Sequence, residues 1–486
     1  MTTLLSIVLA IIILTNILLA LTVVFLERKS ISSTWAWIMV LTFIPVLGFL
    51  FYLVFGQNLS RHKIFKWDHA VHEMTKKKVA SQMAAIRNEQ APFTEAVLRD
   101  YHELIYLNLN NDEAPLSLNN ALTIYTEGRR KFHQLLKDIY AARHHIHMEY
   151  YIFRSDLLGV KIIEALITKA RAGVTVRLLV DDEGSRQLSR RLVRRFTAAG
   201  GKFQRFFPGR LPLLNLRINY RNHRKLVVID GTTGYLGGFN VGNEYLGLVK
   251  RFGNWRDTHL RLVGECVNSI QARFLLDWNQ ASGEKVPLKG YYHLNEPANC
   301  NAAGNVGIQI VSSGPDRKWE QIKNAMIKMI LSATDYVYIQ TPYFIPDHSL
   351  LNAIYIASLS NVDVRVMIPD KPDHPFVYWA TFSNIGTLLE AGAHVFLYEN
   401  GFLHAKMIVV DGRLATVGTS NIDYRSFGLN FEVNAFIYHE ETAQRLVDIF
   451  RKDLLNSREL TMGGYEHRSR LIRFKESISR LLSPVL

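Results

Sequence analysis

The first sixty residues are far more apolar than the rest of the chain. Residues 4–26 are almost wholly apolar and uncharged, and a second charge-free stretch covers residues 30–60, with its apolar centre at 35–55. About 20 such residues suffice for a helix to cross a bilayer. The pattern predicts a two-helix transmembrane hairpin over residues 1–60. A cleaved signal peptide followed by a core helix is the alternative, although no basic N-terminal region or small-residue cleavage site is evident.

Positive charges around the two apolar stretches predict their orientation. The connecting loop carries Arg28 and Lys29. More positive charges follow the second stretch, at Arg61, Lys63, Lys66, Lys76, Lys77 and Lys78. Because cytoplasmic loops carry the excess of Lys and Arg, the large C-terminal part is predicted to be cytoplasmic, in a multi-pass membrane protein.

Beyond the apolar region, residues 61–115 are predicted to form a polar and mostly helical linker. An alternation of strands and helices follows from Asn119. The strands are predicted at 121–126, 145–153 and 174–181, and the helices at 131–142, 161–173 and 190–201. Strand, helix and strand in this order predict an α/β domain with a largely parallel sheet.

The second part of the chain repeats this pattern. Its strands are predicted at 336–345 and 362–370, with a helix at 350–361, and residues 388–398 match the end of the helix at 190–201 and the residues that follow it. Such self-similarity indicates an internal duplication. We therefore predict a first half over 116–290 and a second half over 291–465. The first half has an additional insert at 207–221, and a linker lies at 288–305.

The last segment, residues 466–486, differs in kind. Apolar residues recur three and four apart, at Leu471, Phe474, Ile478, Leu481 and Val485. Basic residues surround that stripe, at Arg468, Arg470, Arg473, Lys475 and Arg480. The spacing predicts an amphipathic helix. It could lie on an anionic lipid surface or pack against the core of its own domain.

One short motif occurs twice, as "NHRKLVVID" at 222–230 and "LHAKMIVVD" at 403–411. Both copies have the form His, any residue, Lys, four residues, Asp. In a strand, residues two apart face the same side, so His223 and Lys225 are predicted to point together, as are His404 and Lys406. A complete second copy in the same structural context argues against a chance match.

A turn containing Gly and Asn follows each motif, at 236–240 and 417–421. Neither turn is a nucleotide-binding loop. Asn240 and Asn421 occupy matching positions after their histidines, and Ser420 adds a hydroxyl in the second copy. These groups are predicted to offer donors to an anion.

Two histidines and two lysines suit the transfer of a phosphodiester. One imidazole attacks phosphorus to form a covalent phosphohistidine. The other protonates the leaving alcohol and then deprotonates the incoming one. The lysines and the asparagines hold the nonbridging oxygens as negative charge develops. Duplication thus supplies a nucleophile and an acid from one motif.

The paired motifs and their trailing asparagines resemble those of the phospholipase D superfamily. The apolar N-terminus and the stretches "DDEGS" (181–185), "TPYFIP" (341–346) and "NIDYRSFGLNFEVN" (421–434) narrow the resemblance to bacterial cardiolipin synthases with two motifs. It covers essentially the whole chain. It implies two α/β/α sandwich halves related by a pseudo-twofold axis, with no metal and no other cofactor.

The resemblance also implies a reaction and a set of roles. Two phosphatidylglycerol molecules would give cardiolipin and glycerol through a phosphatidyl-histidine. His223 would be the nucleophile and His404 the general acid and base. Asp257 and Glu432 match the acidic positions that orient the catalytic histidines in this superfamily.

The resemblance also places the two motif aspartates, Asp230 and Asp411, in the catalytic set. Their positions at strand ends, however, favour structural ion-pair partners over proton donors.

Composition narrows the choice of substrate only slightly. The formal net charge of +14 suits polyanions such as nucleic acid or anionic lipid. A membrane hairpin favours a substrate in the bilayer, so anionic phospholipid is the expected partner and nucleic acid is not. A phospholipid hydrolase, another phosphatidyltransferase and a membrane-bound nuclease remain alternatives. Both motifs are complete, which argues against an inactive scaffold.

Overall fold

The computed structural model of the chain describes most of its residues. These are residues 2–25, 31–44, 48, 52, 64–65, 69–91, 93, 95–208, 219–291, 304–481 and 483. Parts of the second apolar stretch and most of the predicted insert and linker lie outside the described residues. So do the cations Arg28, Lys29, Arg61, Lys63 and Lys66.

The described part of the N-terminal region includes the helices α1 (Thr2–Phe25) and α2 (Ile31–Phe43). They pack together, and the side-chain amide of Asn16 donates to the carbonyl of Leu41 at 3.2 Å. Among the residues described, no helix has both the length and the apolarity that crossing a membrane requires.

Three helices occupy the predicted linker: α3 (His69–Arg87), α4 (Ala96–Asp100) and α5 (His102–Asp112). Helix α5 packs against the domain that follows. Leu104, Ile105 and Leu109 are buried in the core of the second half. The amide of Asn108 also donates to the side chain of Gln309 at 3.1 Å. This segment therefore packs against the second half.

The first half contains the predicted alternation of strands and helices. Its strands are β1 (Asn120–Glu127), β2 (His145–Tyr150), β3 (Thr175–Asp181), β4 (Lys202–Phe206), β5 (Arg221–Asn222), β6 (Lys225–Ile229), β7 (Thr233–Gly237) and β8 (Trp255–Gly264). Its helices are α6 (Gly128–Ala141), α7 (Leu157–Arg171), α8 (Arg190–Ala198) and α9 (Cys266–Ser282), with 3-10 turns at Asn243–Leu246 and Leu288–Tyr291. Helix α7 begins where Asp156 accepts from the amide of Gly159, and it ends before Gly173, whose φ is +85°.

The first sheet has the order β1-β8-β7-β6-β2-β3-β4. Only β2, β3 and β4 run parallel, and the remaining neighbours are antiparallel. The prediction of a largely parallel sheet is therefore wrong. The reason is that, within the described residues 219–291, no α-helix lies between β6 and β7 or between β7 and β8, so the chain makes no helical crossover there that would bring the next strand in parallel.

The second half begins with β9 (Gly307–Ser313) and α10 (Gln321–Leu331). Its further strands are β10 (Tyr336–Gln340), β11 (Phe344–Ile345), β12 (Asp363–Pro369), β13 (His394–Tyr398), β14 (Phe402–Leu403), β15 (Met407–Val410), β16 (Leu414–Gly418), β17 (Ile422–Asp423), β18 (Asn430–Tyr438) and β19 (Ser457–Leu460). Its further helices are α11 (His348–Leu359), α12 (Pro375–Glu390), α13 (Tyr424–Gly428) and α14 (Glu440–Leu454). The chain continues through α15 (Met462–Glu466) and α16 (Arg470–Leu481).

The second sheet repeats the order of the first, as β9-β18-β16-β15-β10-β12-β13, with β19 added beside β13. The duplication predicted from the sequence is thus a duplication of topology. Each half also lends a short strand to the other: β5 pairs with β18, and β14 pairs with β8. This exchange is reciprocal, as a pseudo-twofold relation requires.

The two sheets share a buried core. Leu226, Val228 and Leu260 of the first half cluster with residues of the second half that include Val409 and Val433. Leu226, Val228 and Val409 belong to the apolar runs that lie between the lysine and the aspartate of each motif. Burial of these runs therefore anchors both motif strands in one core, next to the histidines that precede them.

Candidate active site

The two motif histidines lie at the boundary between the halves. Each follows directly on a short strand that crosses to the other half, β5 for His223 and β14 for His404. The backbone amide of His223 donates to the carbonyl of Phe431 at 3.0 Å, and that of His404 donates to Arg256 at 2.7 Å. Backbone pairing between the halves thus sets the position of both rings.

Each histidine is paired with a carboxylate from the opposite half. Nδ1 of His223 lies 2.8 Å from Oε1 of Glu432, and Nδ1 of His404 lies 2.6 Å from Oδ2 of Asp257. Both carboxylates are fully buried. A carboxylate at Nδ1 fixes the tautomer, so Nε2 is the nitrogen left for chemistry. Neither half alone contains a complete pair.

The two pairs are not identical. The free oxygen of Glu432 accepts from the hydroxyl of Thr419 at 2.5 Å. In the first half Gly238 occupies the matching position, and a Cβ there would lie 1.9 Å from Oδ1 of Asp257. The shorter aspartate therefore requires glycine at 238, whereas the glutamate is braced by a hydroxyl.

The motif lysines are buried beside their histidines. Nζ of Lys225 donates to the carbonyl of His223 at 2.6 Å, and Nζ of Lys406 donates to that of His404 at 2.6 Å. Three donors are available to each ammonium group. Nζ of Lys406 also lies 2.9 Å from Nδ1 of His404, so each lysine keeps at least one proton for an anion bound between the histidines.

Burial dominates the protonation of all four groups. It lowers the pKa of His223 to about 4 and that of His404 to about 3, against the opposing effect of their carboxylates. It also lowers the pKa of Lys225 to about 7 and that of Lys406 to about 8. Lys406 contributes to the lower pKa of His223, and Lys225 to that of His404, so the two motifs lie within electrostatic range of each other.

These lysine pKa values predict how anion binding depends on pH. The charged form binds the anion, and it is lost as pH rises through about 7 to about 8. Because two lysines titrate, we expect the dissociation constant for dimethyl phosphate, which stays a monoanion, to rise about tenfold per pH unit between about pH 7 and about pH 8, and about a hundredfold per unit above that. Calorimetric titration between pH 6 and 9.5 measures this, and Lys225→Met is expected to remove the lower step. Constant affinity up to pH 9.5 would contradict it.

The predicted anion-binding side chains are near the motifs but largely engaged. Oδ1 of Asn240 accepts from the amide of Ile152 at 3.0 Å, and its Nδ2 donates to the hydroxyl of Tyr245 at 3.1 Å. The hydroxyl of Ser420 donates to the carbonyl of Asn421 at 3.1 Å. In Asn421, Nδ2 donates to a carboxylate, while its oxygen has no partner among the described residues. Asn240 therefore braces the loop around it.

The motif aspartates are not brought into the site. Asp230 follows the far end of β6, about 16 Å along the strand from Lys225. Its carboxylate accepts from the backbone amides of Arg143, His144 and His145 at 2.8–2.9 Å. The expectation of a catalytic role is therefore corrected, and so is that of ion pairing, since the partners are backbone amides.

Asp411 has the matching position and the matching partners. Its carboxylate accepts from the amides of Thr334, Asp335 and Tyr336. Asp230 and Asp411 both adopt positive φ, at 53° and 51°, which an aspartate in a turn tolerates. Each aspartate fastens the end of a motif strand to the start of the neighbouring strand.

Replacing Asp230 by alanine is expected to affect folding and not catalysis. Three amides lose their acceptor and the left-handed turn loses a tolerant residue, so we expect a stability loss of about 1–3 kcal/mol. The rate constant at saturating substrate should stay within about twofold of the parent. Thermal unfolding and initial rates measure the two effects. Asp230→Asn, which keeps one acceptor and tolerates the turn, is the control and should lose less stability.

Two buried arginines at the site were not identified from the sequence. Nε of Arg224 donates to the carbonyl of Glu432 at 3.1 Å, and its guanidinium pairs with Asp277 at 2.8 Å. Arg256 likewise donates to the carbonyl of Asp257. Each arginine thus holds the main chain of one orienting carboxylate. In the sequence, the only indication that these arginines belong to the site is that Arg224 follows His223 and Arg256 precedes Asp257.

Aromatic rings also flank the histidines, and differently on the two sides. The ring of Tyr151 lies 4.9 Å from that of His223, and Trp255 lies 5.2 Å from His404. The sequence places Tyr151 in the strand predicted at 145–153, and it gives no sign that either ring contacts a histidine.

Comparisons with known proteins agree with this geometry. The family described as "Cardiolipin synthase, PLD-like domain" matches residues 135–250 and 326–454, one region in each half. A second family, "Phospholipase_D-nuclease N-terminal", matches residues 4–57. Among solved structures, a phosphatidylserine synthase of Haemophilus influenzae is similar with a TM-score of 0.61 at 15% identity, covering 79% of this chain and 100% of that one. That likeness concerns the fold alone.

Curated relatives align along nearly the whole chain. A cardiolipin synthase of Oceanobacillus iheyensis is 55% identical over 471 residues, covering 97% of each chain. The major cardiolipin synthase ClsA of Bacillus subtilis is 53% identical over 481 residues, covering 99% of each. A cardiolipin synthase of Listeria monocytogenes is 51% identical over 484 residues. The chain belongs to the bacterial cardiolipin synthases of the phospholipase D superfamily.

Proposed function

We propose that this protein transfers a phosphatidyl group from one phosphatidylglycerol molecule to another, giving cardiolipin and glycerol. The observation that carries the proposal is the pair of buried histidine–carboxylate contacts made across the halves, each with a lysine beside the ring. The cardiolipin synthases that share half of its residues support the choice of substrate.

In the first step, Nε2 of His223 attacks the phosphorus of a bound phosphatidylglycerol. The bond between phosphorus and the glycerol oxygen breaks, and His404 gives that oxygen a proton. Glu432 stabilises the charge that forms on the His223 ring. The products are a phosphatidyl-histidine and free glycerol.

The proton on His404 has a physical source. Burial holds the pKa of the empty-site ring near 3. A phosphodiester anion bound beside the ring favours the imidazolium and raises this pKa. The buried carboxylate of Asp257, 2.6 Å from Nδ1, stabilises the same charged form. Substrate binding thus favours the protonated form of His404, which acts as the acid.

In the second step, the terminal hydroxyl of another phosphatidylglycerol attacks the phosphatidyl-histidine. His404, now neutral, takes the hydroxyl proton, and the bond between phosphorus and nitrogen breaks. Cardiolipin leaves, and both histidines return to their starting states. Lys225 and Lys406 hold the nonbridging oxygens in both steps. Side chains alone fill these roles.

We also propose the following arrangement in the cell. Residues 1–60 cross the plasma membrane as a hairpin, 61–115 connect it to the halves at 116–290 and 291–465, and 466–486 form a terminal helix. The charge-free N-terminal stretches support this, as do the outward apolar side chains of α1 such as Leu4 and Leu14. The distribution of Lys and Arg supports a cytoplasmic catalytic part.

Product analysis tests the proposed reaction. Purified protein in vesicles receives labelled phosphatidylglycerol as the only lipid with a free hydroxyl, in the presence of a chelator. We expect cardiolipin and glycerol in equal amounts from the parent and neither from His223→Ala. Phosphatidic acid as the only lipid product would instead indicate a hydrolase. Inertness towards every phospholipid, with cleavage of a nucleic acid, would overturn the proposal.

A further inference from the structure

The C-terminal helix α16 packs with its polar side inward. Glu476 and Ser479 are buried against the second half, and Glu476 pairs with Arg468 at 2.9 Å. Its apolar residues point outward instead: Leu471, Phe474, Ile478 and Leu481 are 41–75% exposed. An amphipathic helix that only packed on its own domain would bury this stripe. Because α16 docks through its polar side, its apolar stripe remains exposed and is available to another partner.

Helix α12 extends this apolar surface. Nζ of Lys475 lies 4.8 Å from the ring of Trp379, and Trp379 packs edge-on against Phe376, which is 48% exposed. Tyr465 of α15 donates to the carbonyl of Phe382, and the α16 that follows reaches Trp379 through Lys475, so α16 and α12 run antiparallel over these residues. We name Phe376, Trp379, Leu471, Phe474, Ile478 and Leu481 the outer apolar patch.

The outer apolar patch lies at the same edge of the second half as the site. Helix α12 begins directly after the carboxyl end of β12. There Asp373 accepts from the hydroxyl of Tyr343, which follows β10 at the same edge. Lys406 directly precedes β15, and the first residue of β15 pairs with the last residue of β10 at this edge. A membrane that contacts the patch would therefore also lie beside the edge of the second sheet at which Lys406 is placed. We call this edge the catalytic edge.

Charge indicates which partner fits. Arg470, Arg473 and Arg480 are exposed along α16, and Lys475 flanks the stripe on its other side. Basic side chains that border an apolar stripe suit the interface of an anionic bilayer, where they reach phosphates while the apolar groups enter the acyl region. We propose that the outer apolar patch inserts into an anionic membrane surface and orients the catalytic edge towards it. The proposed orientation of the site towards the membrane rests on the proposed function, whereas the proposed insertion of the patch does not.

Depth measurements on the full chain test the insertion. In a His223→Ala, Cys300→Ser background, which preserves the lipid and leaves only buried Cys266, a bimane label is placed at Phe474→Cys. The matched control carries the label at Lys137→Cys, an exposed position on α6. Nanodiscs contain phosphatidylglycerol and phosphatidylcholine with a fraction of doxyl-labelled chains.

We expect doxyl chains to quench the label at 474 at least about threefold more than that at 137. Omitting phosphatidylglycerol should weaken this difference. Equal quenching by aqueous iodide at both positions would overturn the proposal. So would a label at 474 that is shielded from iodide but not quenched by doxyl chains, since a second copy or the N-terminal segment would then cover the patch.

Rates separate docking from chemistry. Leu471→Gln/Phe474→Gln/Ile478→Gln is expected to slow cardiolipin formation from vesicles about tenfold, without slowing turnover of soluble short-chain phosphatidylglycerol. Leu331→Gln/Leu359→Gln, which changes exposed leucines at the opposite edge, should leave both rates unchanged. Equal losses on both substrates would indicate a structural role and overturn the proposal, as would no loss on vesicles. An inactive parent with a quenched label would reject the proposed function alone.

Discussion

His223→Ala is expected to abolish formation of a covalent intermediate, whereas His404→Ala is expected to preserve it when the leaving group needs no proton. With phosphatidylglycerol, loss of His223 should lower the rate about 10⁴-fold or more. Loss of His404 should lower it about 10²–10⁴-fold. The difference appears with phosphatidyl-p-nitrophenol. Its leaving group departs as the phenolate, so His404→Ala should release one equivalent of nitrophenol per site in a burst.

The burst amplitude in rapid-mixing absorbance is the measurement. A phosphatidyl adduct on the peptide that contains His223, identified by mass spectrometry of the quenched His404→Ala variant, accompanies it. Asn240→Ala added to His404→Ala, at a position near the motif but engaged with Ile152 and Tyr245, is a control that should retain the burst. A burst from His223→Ala with none from His404→Ala would reverse the two roles.

Arg224→Met is expected to destabilise the protein strongly. Its guanidinium is 1% exposed and makes two contacts of 2.8–2.9 Å with fully buried Asp277. Glu149 lies beside this pair, and burial together with Asp277 raises the pKa of Glu149 well above its usual range. Removing one partner of such a pair leaves a buried charge uncompensated, at a cost of about 3–5 kcal/mol. Arg273 also pairs with Asp277, which places the expected loss near the lower value.

Thermal unfolding in detergent measures this effect. The matched control is Arg195→Met, whose ion pair with Glu164 is exposed, so the loss should stay within about 1 kcal/mol. Arg224→Met/Asp277→Asn should recover part of the stability, because the uncompensated charge is gone. Equal unfolding temperatures for Arg224→Met and Arg195→Met would show that the buried pair contributes no more than a surface one.

The Arg224 variants also test the link to the site. Because Nε of Arg224 holds the carbonyl of Glu432, Arg224→Met/Asp277→Asn should remain slow even where its stability is recovered. The expected result is a lower rate constant at unchanged KM. Full activity of the double variant would show that the position of Glu432 does not depend on Arg224.

Local periodicity determined most of the elements. The helix predicted at 161–173 is α7 (Leu157–Arg171), and the strand predicted at 174–181 is β3 (Thr175–Asp181). These segments follow from side-chain spacing and from Gly173, which depend only on neighbours in the chain. The direction of β6 depends on which strand it meets, and the prediction of a largely parallel sheet was accordingly wrong.

The site, too, has features that follow from the local sequence and features that depend on contacts between distant segments. The doubled motif by itself identifies two histidines and two lysines, because residue type and spacing recur in both halves. Which carboxylate serves which histidine is decided by the exchange of β5 and β14, a contact between segments far apart in the chain. The sequence also groups Asp230 with His223, although the length of β6 keeps them at opposite ends.

The sequence by itself determined the duplication, the family and the chemical groups of the site. The tertiary structure decided the pairing of His223 with Glu432 and of His404 with Asp257, and the outward side of α16. The physical reason is the same in each case. Spacing along the chain fixes which side chains share a face, but only packing between distant segments decides what that face meets.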